Sequence, residues 1–590
     1  MDGCKPASLC TISFDADVRY ILAFTIARKM EVTMRFLLAA FLACFAAGAA
    51  VARQASESPS AAQTSAAKPT EIFITMRDGV KLAADVYLPE GAGPWPVVVT
   101  RTPYGKGNMY GAGGGAHYVA ANYAYVVQDV RGKGHSEGFY AAFVNDIEDG
   151  YDTIEGLAKQ PWSNGQIGIT GASAMGITSN LAAIANPPHL KAAYVIVAPN
   201  ETFYTSFLGG VPKDKDTVGW MHGQGVSDEA IARSLAGSTR SVFTDRLGPG
   251  PEIKYATIPM WNVGGWYDIF NTGTVYNFQY LQNHGAAGAR GNQRLTMGPF
   301  GHGDLSGDLA YPGDDRLGSV MSGTTRNDIR WFDYWLKGIQ DGVMDEPPVD
   351  LFVMAAARKG AFSPKNHWIH VGDWPVDYRA TSYYLAPDLV LTKSAPSSAG
   401  GKTSYKFDPA NPVPTVGGAN LTFARGPMDQ RAIPARQDYL RFQTPVLEKD
   451  TTIIGPVSVK LYAATDGPDT DFEAKLVDVY PDGYEALVLD APIRARYRDG
   501  RNPEDVKMMT PGAPEEMTID MWNTGLTFEK GHRIALHITS SNSPRFVVNH
   551  NNGDTPRDPQ PPRVATNTIY FDRDHPSALV LPVVYLNDGQ

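Results

Sequence analysis

The sequence predicts an α/β domain with a mainly parallel sheet, interrupted by one insertion and followed by a separate all-β domain of jelly-roll type. Three observations predict it. Between residues 71 and 337 short β-branched runs alternate with helical segments, the pattern of a sheet covered by helices. That alternation breaks over residues 201–255, an aromatic- and glycine-containing stretch. After Pro347-Pro348 helical periodicity nearly vanishes, and strands of five to eight residues recur between turns to the end of the chain.

The elements follow in order. Residues 72–74 and 81–87 are strand-like on either side of Arg77-Asp78-Gly79-Val80, which reads as a hairpin turn. Residues 96–100 and 124–128 are β-branched runs of the kind that fill the buried middle of a sheet. Residues 146–157 begin acidic and turn apolar, as a helix does from its N-terminus. Strand 165–170, helix 177–185 and strand 193–197 continue the alternation, and it resumes beyond the insertion with strand 258–263, helix 274–284, strand 294–297 and helix 327–337. The later strands are expected at 350–354, 452–461, 472–479, 532–539, 568–571 and 578–586. The run GAGGG at 111–115 lacks the lysine and following helix of a phosphate loop and reads as a flexible loop.

Composition narrows the function classes. Of the 590 residues 43% are apolar and 19% charged, which is globular. Fifty-two basic against 62 acidic side chains, with no long run of one sign, argue against a nucleic-acid partner. All three cysteines (Cys4, Cys10, Cys44) lie near the N-terminus, so the rest of the chain cannot form a disulfide, a thiolate metal site or a cysteine nucleophile. The remaining histidines show no H-x-x-x-H pairing, and Asp466, Asp469 and Asp471 read as a solvated turn rather than a calcium loop. No metal or other cofactor is therefore expected. Residues 1–52 read as a leader. Within it 34–52 form a signal peptide with cleavage after Ala52, and translation starts at Met1, Met30 or Met34. Residues 53–69 are a small, polar, flexible linker. The mature chain is thus expected to be exported to the periplasm or the outside, with no membrane span; whether it assembles as a homo-oligomer stays open.

The chemistry gathers at three strand ends. Ile167 to Gly176 runs strand, small residue, Ser173, small residue, helix. A sharp strand-to-helix turn of this kind lifts a serine Oγ clear of a sheet, and the following N–H, that of Ala174, can donate to a developing oxyanion. A hydroxyl needs a base, and the base needs an orienting group. His302 follows strand 294–297 in Gly298-Pro299-Phe300-Gly301-His302, and Asp268 follows strand 258–263 in Gly265-Trp266-Tyr267-Asp268. Taken singly, Asp268 reads equally well as a helix cap and His302 as a surface histidine. The order Ser173, Asp268, His302 is that of the α/β-hydrolases. Because imidazole titrates near pH 6.5, activity through His302 is expected to fall in acid.

Longer motifs carry a family resemblance. Met76-Arg77-Asp78-Gly79, Arg101-Thr102-Pro103-Tyr104-Gly105-Lys106, Asp129-Val130-Arg131-Gly132, Gln160-Pro161-Trp162-Ser163-Asn164-Gly165, the serine turn, and the Asp268 and His302 segments are all of one type. So are Asp469-Thr470-Asp471-Phe472 and Gly531-His532-Arg533 with Ser540-Ser541-Asn542 in the β domain. Together, over roughly residues 70–560, they resemble the CocE/NonD hydrolases, a family of ester hydrolases, acylases and X-prolyl dipeptidyl-peptidases. The resemblance implies an α/β-hydrolase domain over 70–200 and 256–345, a helical cap over 201–255, and a jelly roll over 346–590. It implies a serine hydrolase that cleaves esters or amides of small acyl substrates through Ser173, His302 and Asp268. Tyr104 then points its phenol at the oxyanion beside the Ala174 N–H. Trp266, Phe270, Asn271 and Phe300 are the expected substrate pocket. The chain departs from the family at Ala174 and Phe300, where Tyr and Trp are usual, and at Gly156, where Trp is usual. It departs also at Phe270 and Asn271, where amino-acid ester hydrolases carry two acids; this neutral pair argues against an α-amino acyl preference. The alternatives are an acylase or X-prolyl dipeptidyl-peptidase cutting amides, and an inactive binding protein using the jelly roll.

Overall fold

Ten strands form the first sheet. Along the chain, β1 (Thr70–Thr75) and β2 (Lys81–Tyr87) are the antiparallel hairpin expected about Asp78-Gly79. Then come β3 (Trp95–Thr102), β4 (Ala124–Asp129), β5 (Ser163–Ala172) and β6 (Leu190–Ile196). A small hairpin, β7 (Phe207–Leu208) with β8 (Val211–Pro212), opens the insertion. The chain returns to the sheet as β9 (Met260–Tyr267), β10 (Arg294–Gly301) and β11 (Val349–Val353). A separate short hairpin of β12 (Ala357–Arg358) and β13 (Ala361–Phe362) precedes β14 (His367–Val371) at the edge. The spatial order is β1-β2-β4-β3-β5-β6-β9-β10-β11-β14, parallel from β4 through β11. This computed structural model describes residues 68–107, 109–199, 205–235, 250–312, 327–359, 361–554 and 560–585. The leader 1–52 with its signal segment 34–52, nearly all of the linker 53–69, and parts of the cap lie outside the described residues.

Strand alternation explains how both faces are covered. Val97 and Val99 of β3 pack with Ile154 and Leu157 of α2 (Asp146–Ala158) and Ile177 and Leu181 of α3 (Ala174–Ile184). Val98 between them packs with Tyr118 of α1 (Met109–Ala120). A strand buried on both faces needs apolar residues at every position, which is why these runs carry no polar alternation.

The glycine run 111–115 is not a loop; it lies within α1. Glycine is a poor helix former, which hid this helix from the sequence, but the glycines permit close packing. A Cβ at Gly114 would lie 2.6 Å from the Tyr125 ring, and one at Gly115 would lie 2.6 Å from the Tyr87 ring. The cap is less uniformly helical than its expected name. Its described residues hold the β7–β8 hairpin, a π-helical turn at Asp214–Val218, α4 (Gly219–Gly223), α5 (Asp228–Leu235) and a 3₁₀ turn at Gly250–Tyr255. The remaining helices of the first domain among the described residues, α6 (Asn271–His284) and α7 (Asn327–Lys337), fall where the sequence puts them.

The change of texture after Pro347-Pro348 does not mark the end of the first sheet. β11 pairs in parallel with β10, and β14 adds antiparallel to β11, so the first strands expected for the jelly roll complete the α/β layer. From Arg379 to Val583 the chain forms the second, eleven-stranded sheet system. Its longest strands, Thr451–Thr465 and Glu515–Phe528, pair along their length. One hydrophobic cluster joins the two domains, running from Leu295, Met297 and Leu351 of the first sheet to Ile453, Leu461, Phe472 and Leu536 of the second. The turn at Asp466, Asp469 and Asp471 is solvated, as expected, only at Asp466. Asp469 and Asp471 are buried and ion-paired with Arg496 and Arg494, because the turn is packed under a neighbouring loop whose Asn549 donates to both carboxylates. Among the described residues no helix is long and apolar enough to cross a membrane.

Candidate active site

Ser173 sits between β5 and α3 with φ 59° and ψ −126°, a conformation that strains a residue with a side chain and recurs where a nucleophile is presented. The small neighbours make the turn possible. A Cβ at Gly171 would lie 2.5 Å from the Met175 backbone, and one at Gly176 would lie 2.5 Å from Ala198. Ala174 is the first residue of α3 and is buried, so its N–H belongs to the helix start, where intrahelical acceptors are lacking.

Two further strand ends bring the partners of Ser173. His302 Nε2 lies 2.8 Å from Ser173 Oγ, and His302 Nδ1 lies 2.7 Å from Asp268 Oδ2. Asp268 is fully buried, and its Oδ1 accepts the Phe270 N–H at 2.7 Å. β9 and β10 can run this close because residue 265 is glycine: a Cβ there would lie 2.1 Å from the Phe300 carbonyl oxygen. An imidazole that bridges a hydroxyl and a buried carboxylate can take the hydroxyl proton and return it to a leaving group.

Tyr104 follows β3 on a turn fastened by the Tyr104 N–H to Thr102 Oγ1 (3.1 Å) and the Lys106 N–H to Asp129 Oδ1 (2.6 Å). Its phenol oxygen accepts from Trp220 Nε1 of α4 at 3.0 Å. The Trp220 ring stacks on Phe143, with centroids 5.6 Å apart and planes 7° from parallel. The cap therefore orients the phenol from above.

A cavity of about 120 Å³ opens at Ser173 and Ala174, walled by Phe143, Trp220, Phe270 and Leu421 among others. Phe270 is where the sequence predicts it, edge-on to the His302 imidazole at 5.3 Å. The other three expected pocket residues face elsewhere. Trp266 is buried, its Nε1 donating to the carbonyl of Phe352 in β11 at 2.7 Å. Asn271 is buried and donates to the carbonyls of Trp266 and Asn523, both at 3.0 Å. Phe300 packs beneath the sheet with Met175 and Val263. Sequence reasoning missed Phe143, Trp220 and Leu421. Trp220 belongs to the aromatic insertion and was findable as such; Leu421 comes from the second domain and carries no local signal. Among the described residues no group of three or more His, Cys, Asp or Glu could hold a metal ion.

Comparison with known proteins identifies the family. Residues 78–240 match the model for X-Pro dipeptidyl-peptidase (S15 family), and residues 341–580 match the X-Pro dipeptidyl-peptidase C-terminal non-catalytic domain. The chain is 30% identical to cocaine esterase of Rhodococcus sp. (strain MB1 Bresler), over 87% of this chain and 98% of that protein. Among solved structures it is similar to an α-amino acid ester hydrolase (26% identity, 88% of this chain and 96% of that one, TM-score 0.71). An aminopeptidase from a marine sediment Thaumarchaeota archaeon shares the fold (24% identity, 90% and 99%, TM-score 0.75). The chain belongs to the CocE/NonD family of X-Pro dipeptidyl-peptidase-like serine hydrolases, enzymes acting on small ester or amide substrates.

Proposed function

We propose that the chain is an exported esterase in which Ser173 is the nucleophile, His302 the general base and acid, and Asp268 the group that orients His302. Ser173 Oγ attacks the ester carbonyl as its proton passes to His302 Nε2. The oxyanion accepts hydrogen bonds from the Ala174 N–H and the Tyr104 hydroxyl. His302 then protonates the leaving alcohol as the C–O bond breaks, leaving an acyl-Ser173. Water repeats the sequence, giving its proton to His302 and releasing the acid. The observation that carries this reading is His302 lying within hydrogen-bond distance of both Ser173 and Asp268.

Ester rather than amide preference is supported by the cocaine esterase relative, which is matched over nearly its whole length. Phe270, which lines the cavity, is neutral where amino-acid ester hydrolases carry an acid, and offers no ion pair to a substrate amine. Side-by-side turnover of p-nitrophenyl acetate, glutaryl-p-nitroanilide and an X-Pro-p-nitroanilide tests the preference, with the acetate expected to be fastest. A fluorophosphonate probe tests the nucleophile: labelling is expected in the wild type and absent in Ser173→Ala, and an unlabelled wild type would sink the reading. Export follows from the apolar segment 34–52; N-terminal sequencing of the mature chain should begin at Arg53.

A further inference from the structure

The cavity at Ser173 is walled mainly by apolar side chains with a few hydroxyls, and two buried charged residues enter it, both from the start of the cap. Lys213, just after β8, is 1% exposed, and Asp216 is 2% exposed. Both line the cavity. Among the described residues the Lys213 ammonium has no hydrogen-bond or ion-pair partner; it lies over the Trp522 ring, 5.1 Å from the centroid. Asp216 Oδ1 accepts from the N–H and hydroxyl of Thr422 at 3.0 and 3.1 Å, while Oδ2 accepts from none. A buried donor and a buried acceptor left unmatched are each costly, and the mechanism proposed above uses neither.

We propose that Lys213 and Asp216 form the acyl-recognition end of this cavity, and that the preferred acyl group ends in a neutral function that both accepts and donates hydrogen bonds, a carboxamide being the simplest. The proposal rests on the esterase reading and names its substrate class. A carboxamide oxygen accepts from Lys213 Nζ while its N–H donates to Asp216 Oδ2, so both unmatched atoms are satisfied and the charge of the pocket is unchanged. A carboxylate would satisfy Lys213 but set a second anion beside Asp216. An ammonium would satisfy Asp216 but set a second cation beside Lys213, with the buried Arg545 already near. An apolar end satisfies neither. Burial, reinforced by Arg545, pushes the Lys213 ammonium down to about 7 against the pull of Asp216, Asp268 and Asp490.

Three p-nitrophenyl esters of matched length test this: glutaramate with a carboxamide end, hemiglutarate with a carboxylate end, and 5-methylhexanoate as the apolar isostere. In the wild type, kcat/KM for the glutaramate ester is expected to exceed that of each of the others by about tenfold or more, as for hydrogen bonds to buried charged groups. A smaller margin over either ester overturns the proposal. In Lys213→Met the ratio of glutaramate to 5-methylhexanoate turnover is expected to fall by about tenfold or more; an unchanged ratio overturns the role of Lys213. The wild-type comparison decides the matter if that variant does not fold. Turnover of p-nitrophenyl acetate with none of the three longer esters overturns the pocket assignment alone. No turnover of any ester, acetate included, overturns the esterase reading with it.

Discussion

Asp268 holds His302 through one carboxylate oxygen, 2.7 Å from Nδ1, while its other oxygen accepts the Phe270 N–H at the same distance. The acid is thus fixed from the backbone side and cannot turn away from the imidazole. Asp268→Asn keeps the shape but can present an N–H to Nδ1, which favours the wrong tautomer for a base facing Ser173. The expected result is a kcat lower by about 10⁴ with little change in KM, as where a triad carboxylate is made an amide. Steady-state kinetics with circular dichroism on the same preparation checks it; a loss below tenfold would remove Asp268 from its orienting role.

Trp220, which lines the cavity, donates from Nε1 to the Tyr104 phenol oxygen at 3.0 Å. If the phenol hydrogen reaches the oxyanion, Tyr104→Phe lowers kcat by about 10² to 10³. Trp220→Phe keeps the stack on Phe143 but frees the phenol to rotate, so a smaller loss is expected, about tenfold. The double variant should be no worse than Tyr104→Phe alone, because Trp220 acts through Tyr104.

The residues legible in the sequence are those whose position is set by a strand end. Ser173, Asp268 and His302 each follow a β-branched or apolar run directly, so local pattern and chain order find them. The walls of the cavity are not local. Leu421 arrives from the second domain, and Lys213 and Trp220 from a cap whose short elements have no sustained period. Adjacency to a functional residue also misleads: Trp266 and Asn271 flank Asp268 in sequence, yet their polar atoms turn away from the cavity, to the carbonyls of Phe352 in β11 and of Asn523 in the second domain. Strand pairing crosses the boundary expected at 346 for a related reason. A strand such as Val349–Val353 has the same composition whichever sheet it joins, and only its pairing with β10 decides.

The hydrolase domain is therefore not separable at that boundary. A chain ending at residue 345 lacks β11 and β14 and leaves the edge of β10 open. Ending at residue 372 restores those strands but still removes Leu487, whose carbonyl accepts from Tyr267 Oη at 3.0 Å, and most of the shared apolar cluster. Both truncations are expected to be insoluble or unfolded, judged by soluble yield and cooperative melting. A soluble, active 1–345 fragment would contradict the shared core.

Gly265 offers a test of how tightly the two strands that carry Asp268 and His302 are packed. An alanine Cβ there would meet the Phe300 carbonyl oxygen at 2.1 Å, a backbone atom that no side-chain rotation can move. Gly265→Ala should destabilise the fold by about 1–3 kcal/mol, as overpacking does. It should also lower kcat, since His302 lies two residues beyond Phe300. A variant with unchanged melting temperature and rate would show that β10 can shift freely.

The second domain buries a carboxyl that should make stability depend on pH. Glu473 is 1% exposed, and Asn542 Nδ2 donates both to its Oε1 and to Asp490 Oδ2, each at 2.8 Å. Burial, and then the neighbouring Asp490 charge, push the Glu473 carboxyl up to about 8 from an ordinary value of 4.5. The folded chain thus keeps a proton that the unfolded chain gives up. This contribution to stability is complete below the unfolded value and is lost as pH rises through about 8. Glu473→Gln, a neutral isostere at every pH, removes that slope. Its unfolding free energy relative to wild type should rise between pH 5 and pH 8, by at most about 1.4 kcal/mol per pH unit. Urea melts at a series of pH values measure it, and parallel curves for the two proteins would place the proton elsewhere.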